Sequence, residues 1–318
     1  MIPTPVEIRA AAERLRGITQ RTPLVPSPEL SFELGTPVYL KCENLQRTGS
    51  FKLRGAFNVL ATLSESERQR GVVASSAGNH GLGIALGAKL LGIRARVFVP
   101  SSAPAVKREG IAALGAEVDE SQPDYDGAHA LALRHAAESG CTFVNPCAGA
   151  TLLAGQGTIA LEVLDALPSV RTMVVPVGGG GLVGGIAALL RAETPHVRIV
   201  GAQTAVTNAM SKSLAASRLE SVPVVPTLAD GLAGQIDEEG LAIGQFAIDE
   251  LRIVEETEVA DAIAWVSNAH DMRVEGAGAV GVATARRADA RLDGPVVIVL
   301  SGGNIDDTRW RDVVAART

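Results

Sequence analysis

The chain has 318 residues, of which 47% are apolar, and a net charge of −6 from 29 basic and 35 acidic residues. That balance describes one large or two medium globular domains and excludes a disordered chain. Aromatic residues are only 3% and no run of Lys or Arg occurs, so nothing argues for nucleic acid or a membrane surface as partner.

The segment MIPTPVEIRAAAERL at the start has no apolar signal core, and no later apolar run reaches membrane length. The cysteines, Cys42, Cys141 and Cys147, are odd in number and lack metal spacing. They read as reduced thiols of a cytoplasmic protein. In chain order the strand candidates are VYLKC (38–42), GVVAS (71–75), ARVFV (95–99), TFV (142–144), TMVVPV (172–177), VRIVGA (197–202) and PVVIVL (295–300). Helical stretches rich in Ala and Leu lie between them, such as 81–92 and 184–193. Continuous apolar strands alternating with helices predict a parallel sheet covered on both faces. The stretch 66–148 reads as a compact α/β unit, with the chain on either side forming a second. Ligands of such folds sit at the carboxyl ends of the strands, so the loops there carry the chemistry.

RTGSFKLRGA (47–56) places Lys52 between an aromatic residue and an arginine, behind a Gly-Ser step. Alone, such a lysine reads as a solvated charge. Three loops change its meaning. SSAGNHGLG (75–83) follows a strand and opens a helix, whose free N–H groups can hold a carboxylate or phosphate. VPVGGGGLVGG (175–185) contains GxGxxG as Gly179, Gly181 and Gly184. A dinucleotide site wants an acid about 20 residues on, yet no Asp or Glu lies from 197 to 210. This loop therefore reads as a cradle for a lone phosphate. VIVLSGGNID (297–306) puts Ser301 at the end of the last strand. A phosphate cradle, an anion-binding helix start, a hydroxyl and a placed lysine suggest an aldehyde cofactor bearing a phosphate, held as a Schiff base. Pyridoxal 5'-phosphate fits.

GSFKLRGA, SAGNHGLG, AGQGT (154–158), VGGGGL, LADG (228–231), EGAG (275–278) and LSGGN occur in that order between about residues 5 and 310. Together they resemble the serine/threonine dehydratase group of the tryptophan-synthase-like, fold type II pyridoxal phosphate enzymes. Serine racemases share that fold and most of these motifs. The resemblance implies two three-layer α/β domains with mostly parallel sheets and the cofactor in the cleft between them. The large cofactor-binding domain is then 1–65 with 149–318, the small substrate-side domain is 66–148, and the protein is a homodimer. The implied reaction is α,β-elimination of a β-hydroxy amino acid, L-threonine or L-serine, to a 2-keto acid and ammonia.

By the same resemblance Lys52 carries the cofactor and later takes the α-proton. Phe51 packs against the ring, Asn79 meets the phenolic oxygen, and Ser301 faces the ring nitrogen. Gly178, Gly179, Gly180, Gly181 and Leu182 line the phosphate, and Glu275 lies near the ring. Ser76, Ala77, Gly78, Asn79 and His80 form the substrate-carboxylate loop. Departures select within the group. Racemases of this type carry a second catalytic serine where this chain has Ala77, which favours elimination over racemisation. Their acidic metal ligands correspond to Gln203 and Ala209, so no divalent cation site is expected, and a monovalent ion stays open. The loop NPCAGA (145–150) is smaller and less polar than in many relatives, which keeps a bulkier substrate such as a phenylserine in view. Fourteen residues follow Asn304, too few for a C-terminal regulatory domain.

Overall fold

The computed structural model describes residues 2–317. Among these described residues ten strands form two sheets: β1 (Leu24–Pro26), β2 (Val38–Cys42), β3 (Val72–Ser75), β4 (Ala95–Pro100), β5 (Glu117–Gln122), β6 (Thr142–Phe143), β7 (Thr172–Pro176), β8 (Arg198–Thr204), β9 (Glu250–Val254) and β10 (Val296–Leu300). The larger sheet runs β1-β2-β10-β7-β8-β9. Only its edge strand β1 is antiparallel to its neighbour. The smaller sheet runs β5-β4-β3-β6 and is parallel throughout.

Both sheets are covered on both faces, and the strand sequences show why. Side chains alternate across a pleated strand. In β10, Val296, Ile298 and Leu300 enter one core with Val259, Ile263 and Val280 of the helices Glu256–His270 and Gly276–Ala285. Val297 and Val299 enter the opposite core with Ile8, Ile159 and Ile186 of the helices Pro5–Leu15, Ala150–Ala166 and Gly181–Glu193. Each such buried side chain contributes about 1.5–3 kcal/mol relative to exposure. In the smaller sheet Val72, Ala74, Val97 and Val99 face the helices Lys52–Ala61, Asn79–Leu91 and Ala105–Ala113, while Val73 and Phe98 face the helix Tyr125–Ser139. Each sheet is the middle of three layers, as the α/β pattern predicts.

The seven predicted strands all form. β1, β5 and β9 were not predicted, and each is an edge strand. β5 reads EVDESQ and is fully buried at none of its residues, so it lacks the apolar run of a central strand. Among the described residues no helix is long and apolar enough to cross a membrane.

The helix Lys52–Ala61 sits where the two sheet systems meet. Its Ala56 and Leu60 enter the smaller core. On its other side it crosses the helix Ala150–Ala166 at glycines. A Cβ on Gly155 would stand 2.6 Å from Gly55 Cα and from the Arg54 carbonyl oxygen. This close approach accounts for Gly155 of AGQGT, while Gly157 faces the other way, where a Cβ would stand 2.8 Å from the Gly185 carbonyl oxygen.

Candidate active site

Lys52 is the first residue of its helix. The chain entering that helix is stitched to the loop after β10. Ser50 forms a β-bridge with Gly302, and the Phe51 N–H donates to the Ser301 carbonyl at 3.1 Å. Two motifs at opposite ends of the sequence are thereby brought side by side. Lys52 Nζ donates to the Pro146 carbonyl at 2.7 Å and lies 3.8 Å from Cys147 Sγ. It also lies 5.2 Å from the centre of the Phe51 ring. Its partners are a carbonyl and a thiol, not a carboxylate, so the amine is held without being committed to an ion pair.

The helix start is anchored from behind by buried charge. Arg54 is 1% exposed. It forks onto Glu43 with two bonds of 2.8 Å and reaches Glu162 at 2.6 Å. Lys41 closes the network on Glu162 at 2.5 Å, and the Thr22 hydroxyl donates to Glu43. Burial opposes the charge on Glu43, but the adjacent Arg54 and Lys41 outweigh it and hold its pKa below the usual carboxylate range. The network locks the Lys52 helix against β2 and the helix Ala150–Ala166.

Opposite Lys52 lies the glycine row. Gly180 has φ +97° and caps the helix Gly181–Glu193, a conformation that favours glycine. A Cβ on Gly179 would stand 2.8 Å from Cys147 Sγ, and one on Gly181 would stand 2.8 Å from the Cys147 carbonyl oxygen. Larger residues would collide with the loop that touches Lys52. The first-turn N–H groups have no acceptor within the helix, and they carry its positive end. Leu182 is buried beneath them.

Ser301, at the end of β10, is 4% exposed, and its hydroxyl makes a long 3.4 Å contact to the Ala277 carbonyl. Asn79 opens the helix Asn79–Leu91. Its Nδ2 donates to Glu275 Oε1 at 2.7 Å, and its Oδ1 accepts from Asn304 Nδ2 at 2.6 Å. Asn304 also donates to the Thr48 carbonyl at 2.7 Å. Sequence reasoning missed Asn304 as a site residue; its one signal is that it ends the motif LSGGN. Glu275 is buried, and burial pushes its pKa up to about 7, with Asp230 reinforcing the shift and the Asn79 amide opposing it.

The loop before Asn79 is open. The Gly78 N–H donates to Ser76 Oγ at 3.2 Å, Ala77 packs against the smaller core, and a Cβ on Gly78 would meet nothing within 4 Å. His80 differs from its neighbours. It is 2% exposed, and its Nε2 donates to the Val144 carbonyl at 3.0 Å. Burial lowers its pKa to about 3, helped by Lys52, so the ring is neutral. The imidazole faces β6, which leaves its backbone N–H as its contribution to the loop. Gln203 is turned inward, donating to the Thr207 carbonyl at 2.8 Å and accepting from the Ser211 N–H at 3.0 Å. Among the described residues no group of three or more His, Cys, Asp or Glu is placed to hold a metal ion.

An amine, a buried hydroxyl and a row of free helix N–H groups thus converge where the two sheets meet. Residues 15–302 match the family described as "Pyridoxal-phosphate dependent enzyme". The chain belongs to that family. Its cofactor is pyridoxal 5'-phosphate, and the donors fit it: an amine for the aldehyde, N–H groups for the phosphate, and a hydroxyl free of any short bond for the ring. Within the family, the chain is 45% identical over 303 residues to an L-threonine ammonia-lyase of Geobacter sulfurreducens, covering 94% of this chain and 75% of that one. It is 37% identical over 314 residues to a catabolic L-threonine dehydratase of Staphylococcus aureus, covering 97% and 91%. Among solved structures, maize serine racemase superposes with a TM-score of 0.93 at 31% identity, covering 99% of this chain and 98% of that one.

Proposed function

We propose that this protein is an ammonia-lyase that converts a β-hydroxy amino acid, L-threonine or L-serine, to a 2-keto acid and ammonia. The observation that carries this reading is the Lys52 amine. It is held at 2.7 Å by a backbone carbonyl, with the glycine row on the far side of the Cys147 loop it touches. The relatives named as L-threonine ammonia-lyase and dehydratase support the choice of substrate.

In this reading the N–H groups of Gly178–Gly181 and Leu182 hold the phosphate. Phe51 packs on the ring, Asn79 meets its oxygen, Glu275 stands nearby, and Ser301 faces its nitrogen. The bound cofactor supplies an electron sink for the charge left when the α-proton departs. Ser301 is neutral and does not impose a proton on the ring as a carboxylate would. The helix start at Ser76–His80 receives the substrate carboxylate through its backbone N–H groups. Lys52, once free, takes the proton from the substrate α-carbon. The β-hydroxyl would then leave as water, protonated as it departs. The enamine that remains hydrolyses to the keto acid and ammonia.

A second reading is amino-acid racemisation, favoured by the close superposition on a serine racemase. It needs a proton donor on the face opposite Lys52, and the methyl of Ala77 offers none. A third keeps elimination but takes a bulkier substrate such as a phenylserine, because Cys147, Ala148 and Gly149 are small. We also assign 1–65 with 149–318 to a large unit, 66–148 to a small one, and a cytoplasmic homodimer to the protein.

The test is keto-acid and ammonia release from a panel of L- and D-β-hydroxy amino acids. Turnover is expected to fall at least about 1000-fold in Lys52→Ala. D-serine formed from L-serine without pyruvate would select the racemase. Cofactor bound at Lys52 without any turnover would overturn the elimination reading.

A further inference from the structure

The motif LADG (228–231) has no part in the chemistry above, yet it touches both cofactor loops. A Cβ on Gly276 would stand 2.1 Å from the Leu228 carbonyl oxygen, and one on Gly231 would stand 3.0 Å from Ala277 Cβ. One on Gly178, in the glycine row, would stand 3.2 Å from Leu232 Cα. The segment is thus wedged between the Glu275 loop and the row proposed to hold the phosphate. Its base is tied down: Glu256 accepts from the Thr227 hydroxyl at 2.6 Å and from the Leu228 N–H at 2.7 Å. Its outer corner is Asp230, which opens a short 3-10 turn.

Asp230 reaches across the cleft. Lys107 Nζ, on the helix Ala105–Ala113 of the four-stranded unit, donates to it at 2.9 Å. A second bond crosses at the same place, from Asn79 to Glu275 at 2.7 Å. The two bonds leave different helices of one unit and land on two segments of the other that pack directly together.

We infer that Lys107 is a positioning residue: its ion pair with Asp230 clasps the four-stranded unit onto the LADG segment and holds the Ser76–Asn79 loop over the cofactor loops. This inference rests on the amino-acid-binding reading above. Its expected size is modest. The two side chains are 31% and 46% exposed, so the pair is partly screened by water and salt.

The experiment uses the cofactor-loaded protein and two readouts. One is KM and kcat for L-threonine. The other is titration with L-alanine, which has no β-leaving group, followed by cofactor absorbance. Lys107→Met and Asp230→Asn are each expected to weaken L-alanine binding and raise KM about three- to fivefold, with bound cofactor unchanged. The double replacement Lys107→Asp with Asp230→Lys is expected to recover most of the loss. Salt at about 0.5 M should shrink the gap between wild type and single variants. Unchanged affinity, a loss that the swap does not rescue, or an equal fall in kcat and melting temperature with KM constant would each overturn the clasp. A protein that binds L-alanine but eliminates nothing would sink the lyase reading and leave this inference standing.

Discussion

The two walls of the cleft are built differently. The wall from the six-stranded unit is packed backbone against backbone. A Cβ on Gly276, Gly278 or Gly185 would come within 2.1, 2.5 or 2.4 Å of a neighbouring carbonyl oxygen. The wall from the four-stranded unit is loose at its rim, where Gly78 faces open space, although Gly81 behind it would bring a Cβ within 2.3 Å of the Ser76 carbonyl oxygen. One wall is over-determined and suited to a cofactor that stays. The other is held by a few side chains, chiefly Asn79 and Lys107, and suits a substrate that comes and goes. Glycine gives close contact in the first wall and, at Gly78, room at the rim of the second.

Removing Arg54 tests the rigid wall hardest. Arg54→Met leaves the buried Glu43 carboxylate with only Lys41 at 3.9 Å and the Thr22 hydroxyl, and is expected to cost about 3–5 kcal/mol, read by urea unfolding. A cost near zero would mean that the charge network does not brace the Lys52 helix.

Glu275 lies where the walls meet and gives a pH-dependent effect. Burial raises its pKa in the folded protein to about 7, against the ordinary 4.5 of the unfolded chain. The folded state therefore holds more protons between those values, and stability falls as pH rises through that window. Glu275→Gln removes the slope. In the cofactor-free protein, the stability of the variant relative to wild type should rise by about 3 kcal/mol from acid to neutral pH and then level off. A gap independent of pH would show that burial does not raise the Glu275 pKa.

The smallest effects separate the two kinds of glycine. Gly276→Ala is expected to destabilise by about 1–3 kcal/mol and weaken cofactor binding, because its methyl meets backbone that cannot yield. Gly78→Ala should leave melting and cofactor content within about 0.5 kcal/mol of wild type, while raising KM by intruding on the substrate. Equal effects from both would erase the contrast between the walls.

Much of this was legible in the residues because the rigid wall writes itself into sequence. Apolar strands such as VVIVL and loops such as VGGGG leave a clear mark, since a sheet buried on both faces needs the first and the tight approach of the Cys147 loop needs the second. The looser wall left fainter marks. The edge strand EVDESQ carries charges that hide it. The pair Lys107 and Asp230 looks like two ordinary surface charges until the fold sets them 2.9 Å apart. His80 stands in a motif whose residues face the cleft, yet its ring turns to Val144, a matter of rotamer that spacing does not record. Asn304 joins three segments through one amide, and only the fold shows that they meet.

The central claim is that Lys52, and no other lysine, carries the cofactor. Borohydride reduction of the loaded protein, followed by peptide mass analysis, tests it directly. The expected result is a pyridoxyl mass on the peptide containing Lys52, absent in Lys52→Ala. The same mass on a peptide bearing Lys41 or Lys107, with the Lys52 peptide unmodified, would contradict the account.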